Sequence, residues 1–288
     1  VAATGSVPDA AVSGSTALGP KDPVVASPTR TLGVLAGGFA IDAAADERLL
    51  ALAQAQRITA LAACAGAPAW PQQARRLIKC LPKAVQLGFC FSLAPGSEPL
   101  SAELKRVWPQ CPPTQRLMLD ALTRKLPLDA LRTEWRAQWL SFTGYAGRAP
   151  GFVTSLGLVH RLAGLRELAL QALRSEGPST WVLHCGRVIG PGPWLQRRLL
   201  EDTGGRQLMQ QLLALKQPHP PALLGLPKDG AEVADPANYL AACLAALPAE
   251  GAVLALEASS EAWCGFLQSP LFDDALRAAG VRLGNPVA

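Results

Sequence analysis

The sequence predicts an α/β fold built on a parallel sheet. Short apolar runs alternate with longer amphipathic stretches about seven times along the chain. Gly, Pro and small residues punctuate the ends of these runs. The composition agrees: 49% of the 288 residues are hydrophobic and 17% are charged, which supplies a large core and excludes a disordered chain.

Residues 1–29 are rich in Ala, Gly, Ser, Pro and Val without a period, and read as a flexible leader. The remainder, 30–288, reads as one α/β domain. The first strand is TLGVLAGGF at 31–39, followed by a helix at 43–56 and a strand ITALAAC at 58–64. A helix over 70–80 carries Pro71 in its first turn. The third strand is AVQLGFCFSL at 84–93. A Pro-rich insertion with two short helical pieces fills 98–125, and a helix resumes at 128–142.

The fourth strand is expected at 151–159, followed by a helix at 165–174, a strand at 179–186 and one long helix over 193–216. A short strand at 222–226, a helix at 236–247, a strand at 252–259, a helix at 270–279 and a closing VRLGN complete the pattern. Parallel strands with right-handed crossovers form either a barrel or an open doubly wound sheet, and the pattern leaves both open. In both, the functional site lies at the carboxyl ends of the strands. Those ends are Gly37 and Gly38, Cys90 to Leu93, Thr154 to His160, His184, and Glu257 to Ser259.

Several function classes fall away. The net charge of +5 comes from scattered residues such as Arg75, Arg76 and Lys79, or Arg197 and Arg198. No basic arm or aromatic–basic interleave suggests a nucleic-acid partner. No apolar run reaches the roughly 18–20 residues of a membrane span. No basic n-region precedes an apolar stretch, so a signal peptide is not evident. Seven cysteines, odd in number and irregularly spaced, do not resemble a disulfide framework, and no CxxC pair exists. The expected setting is a reducing, bacterial-like cytoplasm.

Motifs for known chemistry are also missing. The Gly-Gly after the first strand leads into neither GxGxxG nor GK[ST], and no GxSxG elbow occurs. The three histidines, His160, His184 and His219, form no HxH or HExxH pair. His219 in QPHPP reads as a surface residue, and His184 as a satisfied strand-end residue. His160 is the histidine expected nearest the site. A Cys90–His160 pair would need contact in space, and Glu257 stands without a second strand-end carboxylate.

Four segments nevertheless fall in a telling order: Ala36-Gly37-Gly38-Phe39-Ala40, then Gly88-Phe89-Cys90-Phe91-Ser92-Leu93, then Glu134 and Gln138 ahead of Thr154-Ser155-Leu156-Gly157-Leu158-Val159-His160, then Leu254-Ala255-Leu256-Glu257. They resemble the ADDFG, GLHLxL, E-x-x-x-Q with D-S-H-x-H-V-H, and ELMxHPG motifs of the YdjC-like (ChbG/HpnK) carbohydrate deacetylases. The resemblance spans about residues 31–286 and implies a distorted or incomplete TIM-type barrel of about seven strands. It also implies removal of an N-acetyl group from a sugar by a divalent metal and an Asp base.

The residues depart from that implication. The base and ligand aspartates fall on Gly37 and Gly38. Histidine positions fall on Cys90, Leu156, Leu158 and Glu257, and only His160 persists. The expectation is therefore a pseudoenzyme with no metal, no cofactor and no catalytic residue. A degenerate pocket of Gly37, Gly38, Cys90, Leu156, Leu158, His160 and Glu257 would bind a saccharide, an apolar group or a protein partner. The alternatives are a hydrolase with a relocated site on Cys90, His160 and Glu257, and a structural or assembly scaffold.

Overall fold

The computed structural model describes residues 1–2, 30–225, 235–257 and 261–287. The leader, the end of the strand candidate at 222–226, and Ala258 and Ser259 lie outside the described residues.

The chain runs β1 (Arg30–Phe39), α1 (Ala43–Gln54), β2 (Ala60–Ala63), α2 (Trp70–Cys80), β3 (Gln86–Phe91), α3 (Ala102–Val107), α4 (Thr114–Leu122) and α5 (Leu128–Ala146). It continues β4 (Phe152–Ser155), α6 (Leu165–Glu176), β5 (Trp181–Val182), β6 (Val188–Ile189), α7 (Trp194–Leu200) and α8 (Arg206–Ala214). It ends β7 (Leu223–Leu224), α9 (Pro236–Ala246), β8 (Ala252–Glu257), α10 (Glu261–Gln268), α11 (Pro270–Ala278) and β9 (Val281–Leu283). Local chemistry sets several boundaries. Asp42 caps α1 by accepting from Ala45 N at 2.7 Å, and Asp235 caps α9 by accepting from Asn238 N at 3.0 Å, with Pro236 next.

Every strand pairing is parallel, in the order β5-β4-β3-β2-β1-β8-β7-β6, with β9 against the start of β1. The sheet curls towards closure. Val182 N donates to Pro218 O at 3.0 Å, so the segment entering β7 lies along β5. This is a (β/α) barrel-like fold with eight strands on its path. No helix among the described residues is long and apolar enough to cross a membrane.

Period-2 alternation divides each strand between two cores. Leu32, Val34, Leu61, Leu87, Phe89, Phe91, Leu254 and Leu256 face the helices and join the larger core. Leu35, Ala60, Ala62, Cys64, Cys90, Phe152, Trp181, Val253 and Ala255 form a second cluster on the opposite, interior face. Small residues on β1 to β3 leave room there for two rings. Phe152 and Trp181 stack with centroids 4.6 Å apart, and a Cβ on Gly88 would lie 2.4 Å from the Phe152 ring. Gly88→Ala is therefore expected to destabilise the fold by about 1–3 kcal/mol through overpacking. Denaturant unfolding at neutral pH measures this, and an unchanged midpoint would mean that the Phe152 ring shifts at little cost.

Three elements differ from the sequence reading, each for a tertiary reason. The fourth strand stops at Ser155, because Gly157 and Leu158 take left-handed backbone angles (φ 59° and 53°) and turn the chain. The long helix over 193–216 is broken by a π-type turn at 201–205, where Gly204 has φ 114°. There is no room for a side chain at that break: Cβ atoms on Gly204 and Gly205 would sit 2.1 and 2.5 Å from the carbonyl oxygens of Arg161 and Cys185. Helix α10 is the third difference. Its EAWCGFLQ sequence buries Trp263, Cys264, Phe266 and Leu267, and the sequence reading placed no element between its strand at 252–259 and its helix at 270–279.

Candidate functional site

Gly37 and Glu257 are register partners on β1 and β8 at the carboxyl end of the sheet. Gly37 shares the face of Leu35 by alternation, and a Cβ there would meet only Leu256 O, at 3.8 Å. Gly38 follows with φ 88°, and Ala40 with φ 77°, a costly conformation for a residue with a side chain. The Asp46 carboxylate holds this turn, accepting from Ala40 N at 2.8 Å through Oδ1. Its Oδ2 is buried and has no hydrogen-bond partner, and burial raises the Asp46 pKa to about 6.

Cys90 lies on β3 beside Thr154 of β4. It is buried in the interior cluster with Leu158, and half-buried Leu156 packs on that cluster. Three predicted positions thus meet as apolar packing. Cys64 joins them in the same buried cluster. The Cys90 contact, then burial, push the Cys64 pKa well above the usual thiol range. Cys64 ends the strand ITALAAC, so its position was readable as a strand end. Nothing in the spacing pointed to its partner.

The turn after β4 is tied from below. Arg161 is 3% exposed, and its Nη1 donates to Gly157 O at 2.9 Å and Leu158 O at 2.8 Å. Its Nε donates to Thr203 Oγ1 at 3.2 Å. Burial lowers the Arg161 pKa.

His160 is fully engaged within this turn. Its backbone N–H donates to Ser155 Oγ at 3.0 Å, and Nδ1 lies 2.7 Å from that same oxygen. Nε2 lies 2.6 Å from Leu183 O, which can only accept, so the ring proton belongs on Nε2. Nδ1 is then left to accept from the Ser155 hydroxyl. Burial lowers the pKa to about 4 and the ring is neutral at pH 7. Both nitrogens are occupied, and neither faces Cys90. His184 is engaged in the same way, with Nε2 on Pro220 O at 2.8 Å and Nδ1 accepting from Gly186 N at 3.1 Å. Its pKa is also lowered to about 4, by burial first. Half-buried His219 donates from Nδ1 to Gln217 O at 2.8 Å, and its ring lies 5.2 Å from that of His184.

Glu134 and Gln138, four residues apart on α5, fasten the loop after β3. Glu134 accepts from Leu100 N at 2.9 Å and Ser101 N at 2.7 Å. Gln138 accepts from Ser92 N at 3.0 Å and donates to Ser92 O at 2.8 Å and Glu134 Oε1 at 2.7 Å. Both side chains are at most 1% exposed. They act on backbone, not on a ligand.

The family model for the YdjC-like protein matches residues 34–256. This chain belongs to the YdjC-like family. The fold agrees with a solved structure from Enterococcus faecalis, a proposed cellobiose-phosphate cleavage protein. That structure is 16% identical, with a TM-score of 0.66, and the match covers 90% of this chain and 98% of the other. No curated protein matches the sequence.

The site residues of this YdjC-like chain do not fit the divalent metal that the motif resemblance implies. Gly37, Gly38, Leu156 and Leu158 carry no side-chain donor. The ring nitrogens of His160 already have partners, and among the described residues no three His, Cys, Asp or Glu side chains converge as a ligand set. A zinc site needs at least three such ligands.

Proposed function

We propose that this YdjC-like protein is a non-catalytic member of its family, in which the metal centre is replaced by apolar packing and the barrel serves as a binding frame. The observation that supports this best is the state of the middle of the mouth. Cys90, Leu158 and His160 are 1%, 6% and 1% exposed, and the histidine has no free nitrogen. A general base must reach a substrate proton, and a ring held near pKa 4 with both nitrogens engaged is poorly placed to do so. Among the described residues, Gly37, Gly38 and Leu156 are half-buried at the rim. None of these three residues carries a polar side chain, which suits a saccharide-like or apolar group, or a partner's side chain.

A relocated hydrolase is the competing reading. Its natural geometry would be a nucleophile, a base and an orienting group in line. Ser155, His160 and Leu183 O have that order, but Ser155 is 5% exposed and its hydroxyl is closed in by the turn. Turnover of N-acetylated chito-oligosaccharides and generic acyl esters separates the two readings. The expected rate equals that of a Cys90→Ala, His160→Ala double variant and of buffer. Turnover that is well above both, and is lost in the double variant, would reject the non-catalytic reading.

A further inference from the structure

The seven cysteines are free, and all but half-buried Cys80 are buried. Two of them are neighbours across the sheet. The last register pair between β2 and β3 is Ala63 with Phe89, so one residue further on these parallel strands sets Cys64 beside Cys90. Both thiols belong to the same interior cluster. Adjacent strands lie about 4.8 Å apart. That is inside the roughly 4.4–6.8 Å Cα window of a disulfide. On a flat parallel sheet, neighbouring Cβ atoms point the same way and stay as far apart as the strands. Here the sheet curls inward, and side chains on its concave face converge, which favours bridging.

We propose that Cys64 and Cys90 form a modification site: a dithiol that a small peroxide converts to a cross-strand disulfide at the mouth of the barrel. One thiolate attacks the peroxide O–O bond, takes one oxygen to become a sulfenic acid, and releases hydroxide, which takes up a proton to leave as water. The second thiolate then attacks the sulfenic sulfur, forming the S–S bond and expelling the second oxygen as water. Two thiols and one hydrogen peroxide thus give one disulfide and two waters. The neighbouring Cys90 sulfur and burial disfavour the Cys64 thiolate, and both thiols are buried, so the reaction is slow and selects for an oxidant small enough to enter. The bond would tie β2 to β3 where the Glu134–Gln138 clamp already holds the loop after β3.

The test uses full-length protein carrying Cys80→Ser, which removes the accessible thiol. Native protein is treated with hydrogen peroxide, alkylated, digested without reductant and analysed by mass spectrometry. The expected result is a Cys64–Cys90 linked peptide, lighter by two hydrogens than the separate peptides and recovered as free thiols on reduction. The bulky disulfide reagent DTNB should leave both thiols unmodified in the native state. Cys64→Ala and Cys90→Ala variants, each checked for a cooperative unfolding transition, should lose the linkage. Retention of both thiols after peroxide treatment would overturn the proposal. So would sulfinic acid at either position without the linked peptide.

Discussion

Lowering the pH from 7 to 4 is expected to cost the fold about 3–4 kcal/mol, counting only three buried groups. His160 and His184 have folded pKa values near 4 against 6.5 in an unfolded chain. A depressed histidine binds its proton more readily unfolded than folded. Its contribution is fully present above pH 6.5 and is lost as the pH falls towards 4. Each shift corresponds to about 3 kcal/mol. Asp46 works in the opposite sense. Its folded pKa of about 6 exceeds 3.8, so its contribution is present below 3.8 and is lost as the pH rises through 6. Near pH 5 the three together make unfolding take up about one net proton. Urea unfolding at pH 4 to 7 measures the slope. His160→Gln should reduce it by about half a proton or more, and a wild-type stability that is flat or rises towards pH 5 would contradict the neutral buried histidines.

Glu134→Ala is expected to be among the most damaging single substitutions, at about 3–5 kcal/mol. It leaves the buried N–H of Ser101, one buried arm of the Gln138 amide and the part-buried N–H of Leu100 without their acceptor. Glu134→Gln preserves the shape and one acceptor, and should cost about half as much. The damage should appear as faster proteolysis between residues 94 and 113, as well as a lower denaturation midpoint. A loss below about 1 kcal/mol for the alanine variant would mean that water replaces the carboxylate at this loop.

The parts of the fold visible in the sequence are those set by local chemistry. Pro71 in its first turn marks α2, and the apolar runs of β1, β3 and β8 are long enough to identify themselves. The parts that were hidden depend on distant partners. The turn at Gly157 and Leu158 is held by the Arg161 guanidinium, and the break at Gly204 packs against the Arg161 carbonyl with no room for a side chain. Seen along the chain, GLVH looks like more strand. The site divides the same way. The candidate positions Gly37, Gly38, Cys90, Leu156 and Leu158 come from the resemblance to the family motifs. That His160 has no nitrogen to offer, and that Cys64 lies against Cys90, follow only from which strands adjoin.

Metal binding tests the central claim most directly. Purified full-length protein, stripped with chelator and titrated with zinc and with manganese by calorimetry, should show no saturable one-to-one binding at micromolar or tighter affinity. Elemental analysis after dialysis should find no stoichiometric metal. One equivalent of bound zinc or manganese, retained through dialysis and lost on substitution of Cys90 or His160, would contradict the replacement of the metal centre by apolar packing.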